Sequence, residues 1–219
     1  MDFKLETVFH DSASSRAGGQ GKHGLASRAT RVKGARPLSR RSDPALLSQT
    51  IDLIPLDAVA PAAVEALLDR AFPPGRQART AYKVRGSVAP VDSLCFAALT
   101  EDGTLIGSIQ CWPIALTDDD GEHWPLIMIG PVAVAPEYQR DGIGRKLFLH
   151  MLAAAQDQGL DRAMMLIGDP EYYGRFFGFT AERTARWRLP GPVERHRLLA
   201  RGASVPDRAG MLGPGLPQD

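Results

Sequence analysis

Residues 127–149, IMIGPVAVAPEYQRDGIGRKLFL, decide how this chain is read. The stretch begins as an apolar run rich in β-branched residues and breaks at Ala135-Pro136. It then passes through Gln139-Arg140-Asp141-Gly142-Ile143-Gly144 and resumes as a helical pattern with an apolar stripe. The order is strand, tight turn, helix N-terminus. A helix start leaves its first backbone N–H groups without intrahelical partners, and the helix dipole favours an anion there. The turn therefore reads as an anion-binding loop, with the rest of the chain built to present it.

Upstream, residues 50–56 (TIDLIPL) predict a first strand. Asp57 is the expected N-cap of a helix with Val59, Val64, Leu67, Leu68 and Phe72 on its apolar stripe, stopped by Pro73-Pro74-Gly75. Residues 76–84 predict a second short helix. Residues 93–100 and 105–112 are two strands joined by Glu101-Asp102-Gly103-Thr104, with Asp-Gly supplying the positive φ a tight hairpin needs. The second of these strands runs on past Pro113 to Leu116. Asp118, Asp119, Asp120 and Glu122 form an acidic loop whose spacing matches no alternating-ligand metal site. The next strand covers residues 126–134.

Downstream, residues 144–158 are helical, with Leu147, Phe148, Met151, Leu152 and Ala155 on one face and Gly159 as the C-terminal stop. Residues 162–167 suit a strand buried on both faces. Asp169 is a good N-cap with Pro170 at N1, opening the short aromatic helix EYYGRFF. Closing strands are expected at 185–189 and 193–199. The domain organisation is a basic N-terminal extension over 1–48, expected to be flexible, one mixed α/β domain over 49–201, and a Gly/Pro-rich tail over 202–219 expected to be irregular and partly ordered.

Bulk composition narrows the function. Apolar residues make up 44% of 219, enough for a sizeable core. A net charge of +1 argues against nucleic acid or an acidic membrane as the main partner. The extension's Arg28, Arg31, Lys33, Arg36, Arg40 and Arg41 read as a solvated tail, with an arm touching an anionic partner as the sharper alternative. No apolar run reaches the roughly 20 residues of a membrane span. Cys95 and Cys111 lie within strands and read as small buried hydrophobes, consistent with a reducing, cytoplasmic compartment. His10, His23, His150 and His196 make no metal spacing, so no metal is expected. Neither G-x-G-x-x-G after the first strand nor a G-x-x-x-x-G-K-[ST] element occurs.

The QRDGIG turn after the VAV strand resembles the acyl-CoA motif of the GNAT superfamily of N-acetyltransferases: Gln or Arg, any two residues, Gly, any residue, then Gly or Ala. The segment GDPEYYGRFFGFTAE resembles the family's later signature, a tyrosine shortly before Gly-Phe. The nearest likeness is to the bacterial branch of predicted N-acetyltransferases with a YYxRFGF-like segment, over about residues 51–199. The resemblance implies a mixed α+β fold: a central, mostly antiparallel sheet with a splayed parallel strand pair and flanking helices. It implies acetyl-CoA as cosubstrate and direct transfer of the acetyl group to a primary amine of a small molecule or a protein in a ternary complex. Val132, Ala133 and Val134 would pair with the pantetheine arm. The cofactor loop would be Gln139, Arg140, Asp141, Gly142, Ile143, Gly144 and Arg145, with the N–H groups of Arg140, Gly142, Gly144 and Arg145 facing the diphosphate. Tyr173, or its neighbour Tyr172, would be the general acid.

Thioester aminolysis needs a neutral amine, a donor for the developing oxyanion and a proton for the departing thiolate. Candidate bases are Glu137, Asp169, Glu171 and His123, or a water held by backbone carbonyls. Two departures from the family pattern stand out. Asp141 sets a carboxylate beside an anion site. Tyr173 precedes Gly178 by five positions where this branch has four, and one extra helical residue turns whatever precedes it by about 100°. Either the insertion is absorbed near Phe177, or the tyrosine assignment changes. Acceptor specificity is expected from residues 70–83, the 112–124 connection and the 172–179 helix. The alternatives are another acyl-CoA as donor, and a non-catalytic acyl-CoA-binding domain. A homodimer through the C-terminal strands is compatible with the pattern.

Overall fold

The computed structural model describes residues 50–215. The readings of the N-terminal extension and of residues 216–219 lie outside them. The described chain runs β1 (Ile51–Pro55), α1 (Pro61–Ala71), α2 (Thr80–Arg85), β2 (Phe96–Thr100), β3 (Leu105–Asp118), β4 (His123–Val134) and α3 (Ile143–Asp157). It continues with β5 (Met164–Ile167), α4 (Pro170–Phe177), β6 (Trp187–Arg188), β7 (Leu198–Arg201) and β8 (Gly210–Pro214). No helix among the described residues is long and apolar enough to cross a membrane.

Element types follow the sequence patterns, and the differences are local. Asp57 sits inside a 3-10 turn over Leu56–Ala58, and α1 starts at Pro61 with Ala60 as N-cap. Proline at the first helical position has its φ preset for that role. Residues 76–84 divide into a turn (Arg76–Ala78) and α2. β4 starts at His123 because its pairing with β3 persists to Thr117↔His123. The final expected strand is displaced: Arg195–Arg197 make a 3-10 turn and β7 follows.

The C-terminal stretch departs most from expectation. Instead of being irregular throughout, Gly210–Pro214 forms β8, antiparallel to the second half of β3 and parallel to β6. Leu212 within it is 1% exposed. A Cβ at Gly210 would stand 2.6 Å from the Thr117 carbonyl oxygen, so glycine is what lets this strand seat. Gly and Pro in the sequence read as breakers; here they fit a short strand whose partner supplies the order.

The eight strands form one sheet with the path β1-β2-β3-β4-β5-β7. All neighbours along that path are antiparallel except β4 and β5. β3 pairs with β4 along most of its length, and its other edge is shared between β2 and β8. Side chains alternate as strand geometry requires. Ile129, Met164 and Leu166 pack with Leu147, Phe148, Met151 and Ala155 of α3 and with Tyr173 and Phe177 of α4. Leu126, Met128, Met165 and Ile167 pack on the other face with Val84, Trp187 and Leu212. α1 covers Ala133 and Ala135 with Val64, Leu67, Leu68 and Phe72.

One irregularity shapes the middle of the sheet. Ile109 pairs with Val132 and Cys111 with Ile129, so β4 uses three steps where β3 uses two. Gly130 and Pro131 fill this bulge. A bulge bends its strand and adds local twist. β4 and β5 are in register only at Ile127↔Met164 and Met128↔Met165. Beyond that point the two strands part, and a cleft opens between the last residues of β4 and the end of β5.

Candidate active site

The turn between β4 and α3 is assembled from short-range contacts. A 3-10 turn over Pro136–Tyr138 leads in, and the Asp141 N–H donates to the Tyr138 carbonyl at 3.2 Å. Gln139 Nε2 donates to the Val134 carbonyl at 3.4 Å, which ties the loop to the strand end. Gly142 is the N-cap of α3 with φ +72°, a conformation costly for any residue with a Cβ. Lys146 is the first residue whose N–H is satisfied within the helix, by the Gly142 carbonyl at 3.0 Å. The N–H groups of Ile143, Gly144 and Arg145 thus belong to the open first turn, where an anion is favoured.

The side chains of this segment divide cleanly. Arg140, Asp141 and Arg145 are exposed. Ile143 is 1% exposed and sits in the core, so only its backbone is available to a ligand. Gly144 is buried over Val132 and Val134, and a Cβ there would meet Val134 Cγ2 at 3.5 Å, an ordinary contact. A Cβ at Gly142 would meet nothing within 4 Å. The protein itself leaves room for a methyl at both glycines. Conformation requires glycine at 142; at 144 the requirement would have to come from a ligand.

Val132, Ala133 and Val134 lie on the β4 segment past the splay. Val132 and Val134 pack toward α3, and Ala133 toward α1. Their edge opposite β3 faces the cleft rather than β5, whose recorded partners on β4 end at Met128.

Tyr173 reaches the same cleft from the other side, 6% exposed. Its position depends on Gly168, at the end of β5. A Cβ on Gly168 would stand 2.6 Å from Tyr173 Cδ2, so the ring occupies the space a side chain at 168 would need. Phe148 and Phe179 support the ring at centroid distances of 5.3 and 6.4 Å. α4 stays helical through Phe177, and Gly178 closes it at φ +71°. Phe177 is buried, while Phe176 is 38% exposed with the Arg145 guanidinium 4.9 Å from its ring. Tyr172 is half-buried against Phe176 and Phe177. Burial raises its pKa, and the nearby Arg145 charge offsets part of that rise. The two tyrosines therefore occupy different environments, and Tyr173 is the one lining the cleft.

None of the four candidate bases lines this cleft. Glu137 is exposed and paired with Arg70 at 2.5 Å; a bond from its own backbone N–H, then the arginine, lower its pKa. Asp169 is spent as the α4 N-cap, accepting from the Glu171 N–H at 2.9 Å. Glu171 is exposed, and His123 Nδ1 lies 3.0 Å from the Thr117 hydroxyl. The acidic loop is structural as well. Asp118 is buried and accepts from the N–H groups of Asp120 and Glu122 and from the Trp124 indole, while Asp119 pairs with Arg188.

The rest of the cleft wall comes from the α1–α2 region, which supplies Phe72, Arg76, Tyr82 and Arg85 over an apolar floor of Ile129, Phe148, Leu166 and Ile167. The sequence pointed to residues 70–83 as a region and read Phe72 only as an apolar helix residue; Arg76 was not singled out, and Arg85 lies just outside that region. Gly130-Pro131 and Gly168 were also missed. A Gly-Pro pair inside a strand pattern is a recognisable bulge signal; Gly168 carries none, because its use depends on a ring from another element.

The sequence profile of the acetyltransferase (GNAT) family matches residues 62–179, more than half of the chain and spanning α1 through α4. The chain belongs to the GNAT family. Among solved GNAT structures it is similar to the N-acetyltransferase YhbS of Escherichia coli, determined in complex with CoA. Identity is 24% and the TM-score 0.56, over 74% of this chain and 87% of that one. A GNAT acetyltransferase of Brucella melitensis, determined with acetyl-CoA, is 24% identical over 71% of this chain and 97% of that one, with a TM-score of 0.45. The likeness to the E. coli structure is one of fold: a mostly antiparallel sheet, a parallel β4–β5 pair and flanking helices. No curated protein matches the chain.

Proposed function

We propose that this GNAT protein transfers an acetyl group from acetyl-CoA directly to a primary amine of a small molecule or a protein. The observation that carries the reading is a cleft at the β4–β5 splay, supported by the turn that follows β4. Val132 of the β4 edge past the bulge and Tyr173 line that cleft, and the open first turn of α3 behind Gly142 follows the same β4 edge in the chain. The diphosphate suits the N–H groups of Gly142, Ile143, Gly144 and Arg145, with Gln139 holding the loop to the strand and the exposed Arg140 adding positive charge. The amide-bearing pantetheine arm suits the backbone of Val132, Ala133 and Val134, in the manner of an added strand.

In this reading the amine nitrogen attacks the thioester carbonyl. A C–N bond forms and the C–S bond breaks. The departing thiolate takes the Tyr173 hydroxyl proton, and the amine's surplus proton leaves through water, which returns a proton to the tyrosinate. A water route fits a cleft whose lining residues include no carboxylate or histidine. Tyr172, held between Phe177 and the Arg145 end of α3, orients the aromatic helix.

The test is release of free CoA from acetyl-CoA across amines, polyamines, amino acids and peptides. Gly142→Trp is expected to abolish acetyl-CoA binding, and normal binding by that variant overturns the loop assignment. Tyr173→Phe is expected to lower kcat by about 100-fold or more, and Tyr172→Phe by less. Unchanged turnover in both removes tyrosine from the mechanism.

A further inference from the structure

Acyl transfer makes no use of the charge on the far wall of the cleft. That wall carries arginines, and the cleft-lining residues include no Asp or Glu. Arg76 has a local explanation. It is 4% exposed and bonded to Glu65, Asp69 and the Tyr82 hydroxyl. Burial works against its charge, yet those partners outweigh burial and leave its pKa raised.

Arg85 differs. Its guanidinium carbon lies 3.8 Å from the centre of the Tyr82 ring and 4.0 Å from that of Trp112. Burial lowers its pKa, and the favourable pull of Tyr82, which includes a side-chain hydrogen bond, and of Glu65 does not restore it. Glu65 is itself committed to Arg76. Among the described residues no carboxylate forms an ion pair with Arg85. Rings on the faces of a guanidinium leave its in-plane N–H groups as its polar surface, and with five such donors the one hydrogen bond to Tyr82 leaves most of that edge. That edge matches a carboxylate or phosphate, which accepts two parallel N–H bonds.

We infer that the acceptor amine carries an oxyanion of its own, bound by the in-plane edge of Arg85 between Tyr82 and Trp112. This rests on the acetyl-transfer reading and names its acceptor class. The amine enters the cleft toward Tyr173, and the acidic end stays on the α2 side. Polyamines and other purely cationic acceptors are disfavoured by the same charge.

The experiment is CoA release by wild type, Arg85→Met and Arg85→Lys, using chain-length series of ω-amino carboxylates, their methyl esters, the matching aminophosphonates and diamines. Wild type is expected to prefer an oxyanion-bearing amine over its ester and diamine by about tenfold or more. Arg85→Met is expected to lower kcat/KM for that amine by about 30-fold through KM, with ester turnover and calorimetric acetyl-CoA affinity retained. Arg85→Lys is expected to recover part of the loss. The carboxylate and phosphonate arms identify the preferred oxyanion. Equal use of ester and acid by wild type, or an equal loss on both in Arg85→Met, overturns the inference and leaves the transfer reading intact. If wild type releases CoA with none of the amines, the transfer reading fails. The inference is then decided by tryptophan fluorescence of the CoA-loaded protein titrated with the same amines. A saturable change for the oxyanion-bearing amines, lost in Arg85→Met, supports it, and no change overturns it.

Discussion

Gly168→Ala tests the geometry of the cleft without touching a hydroxyl. The new Cβ would stand 2.6 Å from Tyr173 Cδ2 and 2.9 Å from Leu166 Cδ1. Carbon atoms in contact prefer about 3.5–4.0 Å, so the Tyr173 ring must withdraw by about 1 Å. Behind it stand Phe148 and Phe179, both buried. The displacement therefore shifts α4 or turns the ring out of its well. Overpacking of this kind costs about 1–3 kcal/mol of stability. A misplacement of about 1 Å in a reacting group costs about 100-fold in rate. The expected outcome is a lower urea midpoint with unchanged slope, kcat reduced about 100-fold, and acetyl-CoA affinity held within about threefold, since Gly142 is on another element. Combining the change with Tyr173→Phe is expected to give far less than the product of the two losses, because both act through one hydroxyl. Full kcat in a destabilised Gly168→Ala protein refutes a catalytic Tyr173. Unchanged stability refutes the packing described for its ring.

Two further outcomes follow from other parts of the fold. Asp118 accepts from the Trp124 indole and from two backbone N–H groups, and these bonds, the indole first, lower its pKa. A folded-state pKa below the unfolded value gives stability that is present above about pH 4 and lost as pH falls through the depressed value. Asp118→Ala is therefore expected to flatten the acid limb of a stability-versus-pH curve measured by denaturant melts; an unchanged limb assigns acid sensitivity elsewhere. Leu212→Ala is expected to cost about 2–5 kcal/mol, measured in urea, because Leu212 fills the second face of the sheet with Ile114 and Trp187. A loss under about 0.5 kcal/mol marks β8 as dispensable.

Much of the fold was legible because its signals are local. The apolar periods of α1 and α3, the Asp-Gly hairpin before β3, and Asp169-Pro170 opening α4 each act within a few residues, and each element formed where its pattern lies. β8 was not legible. Its order comes from β3, which lies about a hundred residues earlier in the chain, and from a glycine contact with the Thr117 carbonyl. The cap at Asp57 failed for a related reason: Pro61 offered the helix a better-defined first position.

For the candidate site the same division holds. The sequence by itself determined the glycine turn at residues 139–144, the family it belongs to, and the aromatic helix that brings tyrosines toward it. These depend on backbone conformation and short-range spacing, which a linear pattern carries. Only the tertiary structure decided that Tyr173 rather than Tyr172 lines the cleft, that Gly168 makes room for its ring, that the Gly130-Pro131 bulge parts β4 from β5, and that Arg85 lies between Tyr82 and Trp112. Each of these is a meeting of residues distant in the chain. It is set by how helices and sheet pack, and periodicity along one segment does not encode where a neighbouring segment's side chains will stand.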